Sequence, residues 1–150
     1  MKINKIVICF LLLIACIAAS CTDDNCYGDV TNYLRTYFYE GEIQTKPTNL
    51  TVTALGIDTI LYNKVSNRSY VDLPLNPSAQ SCSFSFEFDT ISDEVVFTYS
   101  TTPILLSKGC GYSFEYEIIS VTHSDSIIKR IDVKNNNVTA SNEENISIHY

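Results

Sequence analysis

The side chains that could carry out catalysis are few in this chain of 150 residues. One of its two histidines stands in the run His123-Ser124-Asp125-Ser126, which holds the residue types of a hydrolytic triad. Neighbours along a strand or turn point in different directions, so adjacency in sequence does not create triad geometry. The sequence has no HExxH, P-loop, GxGxxG or GxSxG motif. We therefore expect no catalytic residues and interpret the run as a polar turn.

Metal ligands are also scarce. Zinc needs three or four converging Cys, His or carboxylate ligands, usually at short spacing, and no such spacing occurs. Calcium takes carboxylates from loops, where Asp89, Asp93 and Glu94 could lie together, but no twelve-residue EF-hand spacing is present. We interpret these acids as solvated loop residues and expect neither a metal nor a cofactor.

The cysteines instead indicate a covalent modification. Lys2 and Lys5 precede an apolar run over residues 6–19. At about 1.5 Å per residue a helix of this length is roughly 21 Å long, which is short for a hydrocarbon core of about 30 Å and typical of a secretory signal peptide. The run ends in small residues directly before Cys21, as in a bacterial lipobox. We predict that Cys21 is acylated and begins the mature protein, with Cys16 as the alternative.

The charge supports this kind of anchor. The chain has 10 Lys and Arg against 17 Asp and Glu, a net charge of −7. Removal of Lys2 and Lys5 with the leader leaves 8 against 17, a net charge of −9. Such a surface excludes nucleic acid as a partner and electrostatic attachment to anionic lipid. The acyl group is therefore expected to hold the protein on the membrane.

Three cysteines follow the anchor, and the oxidising envelope allows disulfides between them. An odd number leaves at least one thiol unpaired within the chain. Cys82 alternates with phenylalanines, which suits a buried free thiol. We predict a Cys26–Cys110 disulfide, with Cys82–Cys110 as the rival pairing.

Alternation of apolar and polar residues dominates the mature chain. Over Ser81–Phe88 it places Cys82 and three phenylalanines on one face, and over 112–118 it directs Tyr112, Phe114, Tyr116 and Ile118 inward. Further strands are predicted at 32–39, 50–55, 59–63, 69–73, 94–100, 126–133 and 145–150. Turn residues separate them at intervals near ten residues, as in a sandwich.

We therefore predict an all-β fold, an antiparallel β-sandwich (immunoglobulin-like or similar) of about seven to nine strands, plus an N-terminal signal-peptide helix. The predicted domains are a lipoprotein signal peptide at 1–20, an acylated tether at 21–30 and a single sandwich domain at 31–150.

One predicted strand carries a candidate binding face. Tyr33, Tyr37 and Tyr39 share one parity, and Leu34 and Phe38 share the other. If the second set fills the core, the tyrosines line the outer face, where rings and hydroxyls suit carbohydrate or protein. Packing of the tyrosines in the core or at an edge is the alternative. We also predict that His149 faces solvent, because it alternates with two isoleucines on the last strand.

The mature chain resembles known lipoproteins. Cys21-Thr22-Asp23-Asp24 is similar to the start of Bacteroidota lipoproteins, in which acids after the lipidated cysteine accompany export to the cell surface. The remainder resembles an uncharacterised lipoprotein family of that phylum, a domain of unknown function. The resemblance rests on Cys26, Tyr33–Tyr39, Leu50-Thr51-Val52, Gly109-Cys110-Gly111-Tyr112 and Ile146–Tyr150. It implies an all-β envelope lipoprotein without an established activity.

A second resemblance is to the O-glycosylation sequon of that phylum, Asp followed by Ser or Thr and a small or apolar residue. Three sites match it: Asp58-Thr59-Ile60, Asp89-Thr90-Ile91 and Asp125-Ser126-Ile127. The match implies glycans on Thr59, Thr90 and Ser126. Ordinary turn-to-strand transitions are the alternative explanation.

Together these patterns predict a non-catalytic outer-membrane lipoprotein that acts as a binding or structural module. Its expected partners are the membrane, through the acyl anchor, and envelope proteins or glycans. Either the periplasmic or the surface face of the membrane fits the pattern. An accessory subunit of an envelope complex and a small hydrolase are the alternatives.

Overall fold

The computed structural model describes residues 31–141 and 143–150, and within them it contains eleven strands and no helix. The predicted signal-peptide helix and the tether, with Cys21 and Cys26, lie outside the described residues. The strands are β1 (Tyr33–Glu40), β2 (Ile43–Gln44), β3 (Leu50–Ala54), β4 (Thr59–Val65), β5 (Tyr70–Pro74), β6 (Ser81–Phe88), β7 (Ile91–Ser107), β8 (Gly111–His123), β9 (Arg130–Val133), β10 (Asn137–Val138) and β11 (Ile146–His149).

The strands form two sheets. The larger sheet has the strand order β10-β8-β7-β6-β3-β4. In the smaller sheet, β9 pairs with β11, and β11 pairs with one side of β1. The other side of β1 pairs first with β5 and then, near the end of β1, with β2. The predicted β-sandwich is therefore confirmed. One expectation needs correction, because β1 and β11 pair in parallel. No tight hairpin joins them, and the long intervening chain supplies the crossover that a parallel pair requires.

Strand bounds follow the predictions most closely where alternation is regular. Ser81–Phe88 is β6, as predicted. The predicted strand 94–100 is longer in the structure, since β7 and β8 continue to pair with each other beyond the last β6 contact at Thr98. The two-residue strands β2 and β10 were not predicted because they are too short to show a period.

The core lies between the two sheets. Phe38 of β1 is fully buried, and its ring meets those of Phe86 and Phe88 edge-on at centroid distances of 6.3 and 5.9 Å. Aromatic pairs in this geometry add to the free energy gained by burial. Leu34 is buried on the same face of β1. Phe38 thus joins the smaller sheet to the larger one.

The predicted inward face of β8 is only partly correct. Tyr116 and Ile118 are buried, and Phe114 packs at the edge of the core. Tyr112 is 63% exposed, because it lies on the part of the β7–β8 hairpin that extends beyond the sheet.

A buried carboxylate fixes the loop between β8 and β9. Asp93 is 1% exposed and accepts hydrogen bonds from the backbone N–H groups of Ser126 (2.9 Å), Ile127 (2.7 Å) and Ile128 (2.8 Å) and from the Ser124 hydroxyl. Burial alone raises the pKa of Asp93, but these hydrogen bonds outweigh it and hold the pKa well below its usual range. The interpretation of Asp93 as a solvated acid was therefore wrong, and the strand predicted from 126 begins at Arg130.

Replacing Phe38 with Ala should lower the free energy of unfolding by about 3–5 kcal/mol, because a cavity opens between the sheets. The matched control is Tyr33→Ala on the outer face of the same strand, where the side chain is 44% exposed. That change should stay within about 0.5 kcal/mol of the wild type. Urea unfolding followed by circular dichroism measures both, and equal losses would contradict the assigned orientation of β1.

Replacing Asp93 with Asn should lower the free energy of unfolding at pH 7 by roughly 2 kcal/mol, because hydrogen bonds to a charged acceptor are lost. The lowered pKa of Asp93 means that its stabilisation is complete above its unfolded pKa of about 3.9 and is lost as the pH falls toward the folded value. The difference between wild type and variant should therefore close as the pH falls below about 3.9.

Asp125→Asn is the control for this experiment, since Asp125 is an exposed acid in the same loop. Its stability should follow that of the wild type throughout the titration. A deficit in Asp93→Asn that stays constant from neutral to strongly acidic pH would contradict the role given to this carboxylate.

Candidate functional site

The outer face of the smaller sheet carries a cluster of aromatic and charged side chains. Residues 34, 36 and 38 of β1 point into the core, so the odd-numbered residues point outward. Register brings the outward residues of β5, β11 and β9 beside them. We call this surface the tyrosine face; it consists of Tyr33, Arg35, Tyr37, Tyr39, Tyr70, Asp72, Arg130, Asp132, Ser147 and His149.

One end of the tyrosine face is organised by a bidentate ion pair. Arg35 Nε lies 2.8 Å from Asp72 Oδ1, and Arg35 Nη2 lies 3.0 Å from Asp72 Oδ2. The hydrogen bond to Asp72 raises the pKa of Arg35 above its ordinary value. The guanidinium also sits 4.4 Å from the centroid of the Tyr70 ring, which in turn packs at 5.2 Å against Tyr37. A fixed cation and two rings therefore lie side by side.

The other end is built around a stacked pair. The rings of Tyr39 and His149 are 5.1 Å apart at an interplanar angle of 23°. The Tyr39 hydroxyl donates to the carboxylate of Glu144 at 3.1 and 3.2 Å, and the Ser147 hydroxyl donates to the same carboxylate at 2.6 Å. Burial, with the hydrogen bond to Glu144, raises the pKa of Tyr39. Tyr39 is thus held in one orientation.

The structure corrects the expectation for His149, which is only 6% exposed. Its Nδ1 lies 2.6 Å from the carbonyl oxygen of Gly41, so this nitrogen donates, and its Nε2 lies 3.2 Å from Asp132 Oδ2. The stacked Tyr39 ring and the Gly41 turn cover a residue that alternation alone places in solvent. The sequence feature that could have indicated a partnered His149 is Arg130-Ile131-Asp132. Its spacing places both charged side chains on one face of β9, beside His149.

The arrangement suits binding better than acid–base catalysis. His149 and Asp132 form a pair, but the neighbouring Ser147 hydroxyl is engaged by Glu144 rather than by the imidazole. The other histidine, His123, has its Nδ1 2.6 Å from the carbonyl oxygen of Ser124. Among residues 31–141 and 143–150, no group of three His, Cys, Asp or Glu side chains is placed to hold a metal.

The three tyrosines named from the sequence all lie on the outer face, in different environments. Tyr33 is the most open, at 44% exposure, while Tyr37 and Tyr39 are half-buried against Tyr70 and His149. Sequence reasoning missed Arg35, Asp72 and Tyr70, because their contribution depends on the pairing of β1 with β5.

The described cysteines differ in state. Cys110 is disulfide-bonded, whereas Cys82 is a free thiol, so the rival Cys82–Cys110 pairing is not formed. Burial raises the pKa of Cys82 to about 11, which keeps it protonated near neutral pH. Cys26 lies outside the described residues, so the predicted Cys26–Cys110 pairing stays a prediction.

The candidate glycosylation residues Thr59, Thr90 and Ser126 are all exposed. Asp58 and Asp89, which precede the first two, have positive φ angles of 48° and 56°. These aspartates therefore serve the turns, and the hydroxyls beside them are open to modification.

A family model described as a family of unknown function (DUF6452) matches residues 49–150, which include β3–β11. No curated protein and no solved structure matches the chain. Within the described residues, no helix is long and apolar enough to cross a bilayer.

Proposed function

The chain belongs to the family of unknown function DUF6452, and for this member we propose the role of a non-catalytic, lipid-anchored binding module in the bacterial cell envelope. The sandwich hangs from the outer membrane of a Bacteroidota cell by acyl chains on Cys21. The basic start, the short apolar run and the small residues before Cys21 support this anchor. The acidic surface supports it too, since charge alone would not hold the protein on anionic lipid.

The observation that carries the binding role is the tyrosine face. Its side chains are not needed to fill the core, which Leu34 and Phe38 occupy from the same strand. Rings with fixed donors and acceptors on a rigid sheet offer apolar area and directed hydrogen bonds to a ligand. Tyr33 and Tyr37 supply the accessible ring surface, and the Arg35–Asp72 pair supplies polar groups beside it.

The charges of this face favour a neutral, hydroxyl-rich ligand such as a glycan. Arg35 pairs with Asp72, and Arg130 pairs with Asp132, so the charges of the tyrosine face's own residues balance. A phosphate or sulfate would gain little there, whereas sugar hydroxyls could hydrogen-bond to both members of a pair and sugar rings could stack on the tyrosines.

The tether and the exposed hydroxyls fit the same role. A Cys26–Cys110 disulfide would shorten the free chain behind Cys21 from about ten residues to about five, or from roughly 35 to 17 Å when fully extended. Thr59, Thr90 and Ser126 are accessible to a glycosylating enzyme, as the sequon requires.

A second candidate is an accessory subunit of an envelope complex, and the edge strand β4 favours it. β4 pairs with β3 on one side and ends the larger sheet. Ile57 and Ile60, at 73% and 56% exposure, stand beside this open edge. An exposed edge with apolar side chains suits pairing with a strand of a partner.

Replacing Cys21 with Ser should release the protein from the membrane into the aqueous phase of a detergent partition, because no acyl chain can be attached. Cys16→Ser is the matched control and should leave the wild-type partition and terminal mass unchanged. The anchor assignment fails if the Cys21→Ser protein still partitions with the membrane, or if mass spectrometry of the wild type shows an unmodified terminus.

Replacing Tyr37 with Ala should abolish most of the capture of envelope glycans by the acylated protein in a pull-down read by mass spectrometry. Ile119→Ala is the control, since Ile119 is 65% exposed on β8 of the other sheet. Capture that survives Tyr37→Ala unchanged would refute the tyrosine face as the binding surface. Loss of a protein partner in an Ile60→Ser variant would instead support the accessory-subunit role.

A further inference from the structure

The tip of the β7–β8 hairpin is an apolar surface without a covering element among the described strands. Among the described strands, β7 and β8 pair with each other from Pro103 to Tyr112, while β6 ends its pairing at Thr98 and β10 pairs at residues 116 and 117 of β8. We call this two-stranded ribbon the arm. Its exposed apolar side chains are Ile104 (38%), Leu105 (56%), Leu106 (42%) and Tyr112 (63%).

Each face of the arm carries an exposed apolar side chain. Leu105 shares one face with Tyr112, its partner across the ribbon, Ile104 points to the other face, and Leu106 lies at the irregularity in pairing between Leu105 and Ser107. A folded protein partner would cover one face and leave the other in water. A lipid phase surrounds a ribbon on both sides, so this pattern fits lipid better than a protein surface.

The charge of the arm is also opposite to that of the rest of the molecule. No Asp or Glu occurs between Glu94 and Glu115, and Lys108 at the turn is the only charged residue in that stretch. In a chain of net charge −7 this is the longest acid-free stretch of the described residues. A lysine and a tyrosine flanking aliphatic side chains match the headgroup region of a membrane, where ammonium and phenol groups stay hydrated.

The turn of the arm carries a disulfide-bonded cysteine. Cys110 is disulfide-bonded and Cys82 is a free thiol, and the predicted partner of Cys110 is Cys26 of the tether. If that partner is Cys26, five residues separate the arm from the proposed acyl cysteine, a reach of at most about 17 Å. The arm would then be within reach of the surface that holds the anchor.

We propose that the arm rests in the headgroup region of the membrane that holds the acyl anchor, as a second contact that orients the sandwich. This inference depends on the proposed anchoring. The arm does not cross the bilayer, because the outer edges of a two-stranded ribbon have backbone groups that hydrocarbon cannot satisfy. The contact fixes the rotation of the domain on its tether, and hence the direction in which the tyrosine face points.

The absence of tryptophan from the chain allows a direct test. The acylated full-length protein is prepared as a Leu105→Trp variant and reconstituted into vesicles of phosphatidylethanolamine and phosphatidylglycerol containing lipids brominated on the acyl chains. The emission of Trp at position 105 should shift to shorter wavelength and be quenched. Ile119→Trp is the matched control on the same hairpin, at similar exposure but in the body of the sheet, and its emission should not change.

The outcomes distinguish the membrane contact of the arm from the acyl anchor on Cys21. Vesicle flotation with quenching only in Leu105→Trp supports the arm. Flotation without quenching in Leu105→Trp, or with equal quenching in both variants, overturns the arm and leaves the anchor intact. Failure to float overturns the anchor and the arm with it. A shift of the Leu105→Trp emission that rises with protein concentration in the absence of vesicles means that a second copy covers the arm, which also overturns the membrane contact.

Discussion

The packing of Phe38 between Phe86 and Phe88 is the contact on which the remaining arrangement depends. It fixes the rotation of β1 about its own axis, because a strand with one side chain locked in the core has every second side chain locked outward. The tyrosine face follows from this rotation. Shifting β1 by one residue would bury Tyr37 and Tyr39 and expose Phe38, so the register of β1 and the proposed binding surface are set by the same aromatic contact.

The tyrosine face is pre-organised by contacts that cross strands. Arg35 is held by Asp72 of β5, and Tyr39 is held by His149 of β11 and by Glu144. Side chains fixed before a ligand arrives lose little conformational entropy on binding. Even a surface without a deep cleft can therefore bind with useful affinity, provided that the ligand presents rings or hydroxyls at the spacing of the strands.

Local alternation predicted most of what is local in this fold. Ser81–Phe88 was placed without error, since its period-two pattern is uninterrupted. Long-range pairing could not be predicted, because nothing in the sequence near β1 specifies a parallel neighbour from β11. The burial of His149 and the role of Asp93 depend on that pairing and on a loop returning from β8, so both were assigned to solvent. The arm escaped prediction for another reason, as residues 103–106 are apolar without alternation.

The parallel pair β1–β11 sets the order in which the chain can fold. Arg35 and Asn145, which hydrogen-bond at the junction of these strands, are 110 positions apart. Closing so long a loop is slow, and proteins dominated by such distant contacts fold over milliseconds to seconds. During synthesis, β1 emerges long before β11. The side of β1 that pairs with β11, together with the Phe38 ring, is therefore exposed until β11 has been made. An exposed strand side of this kind is prone to pair with other chains.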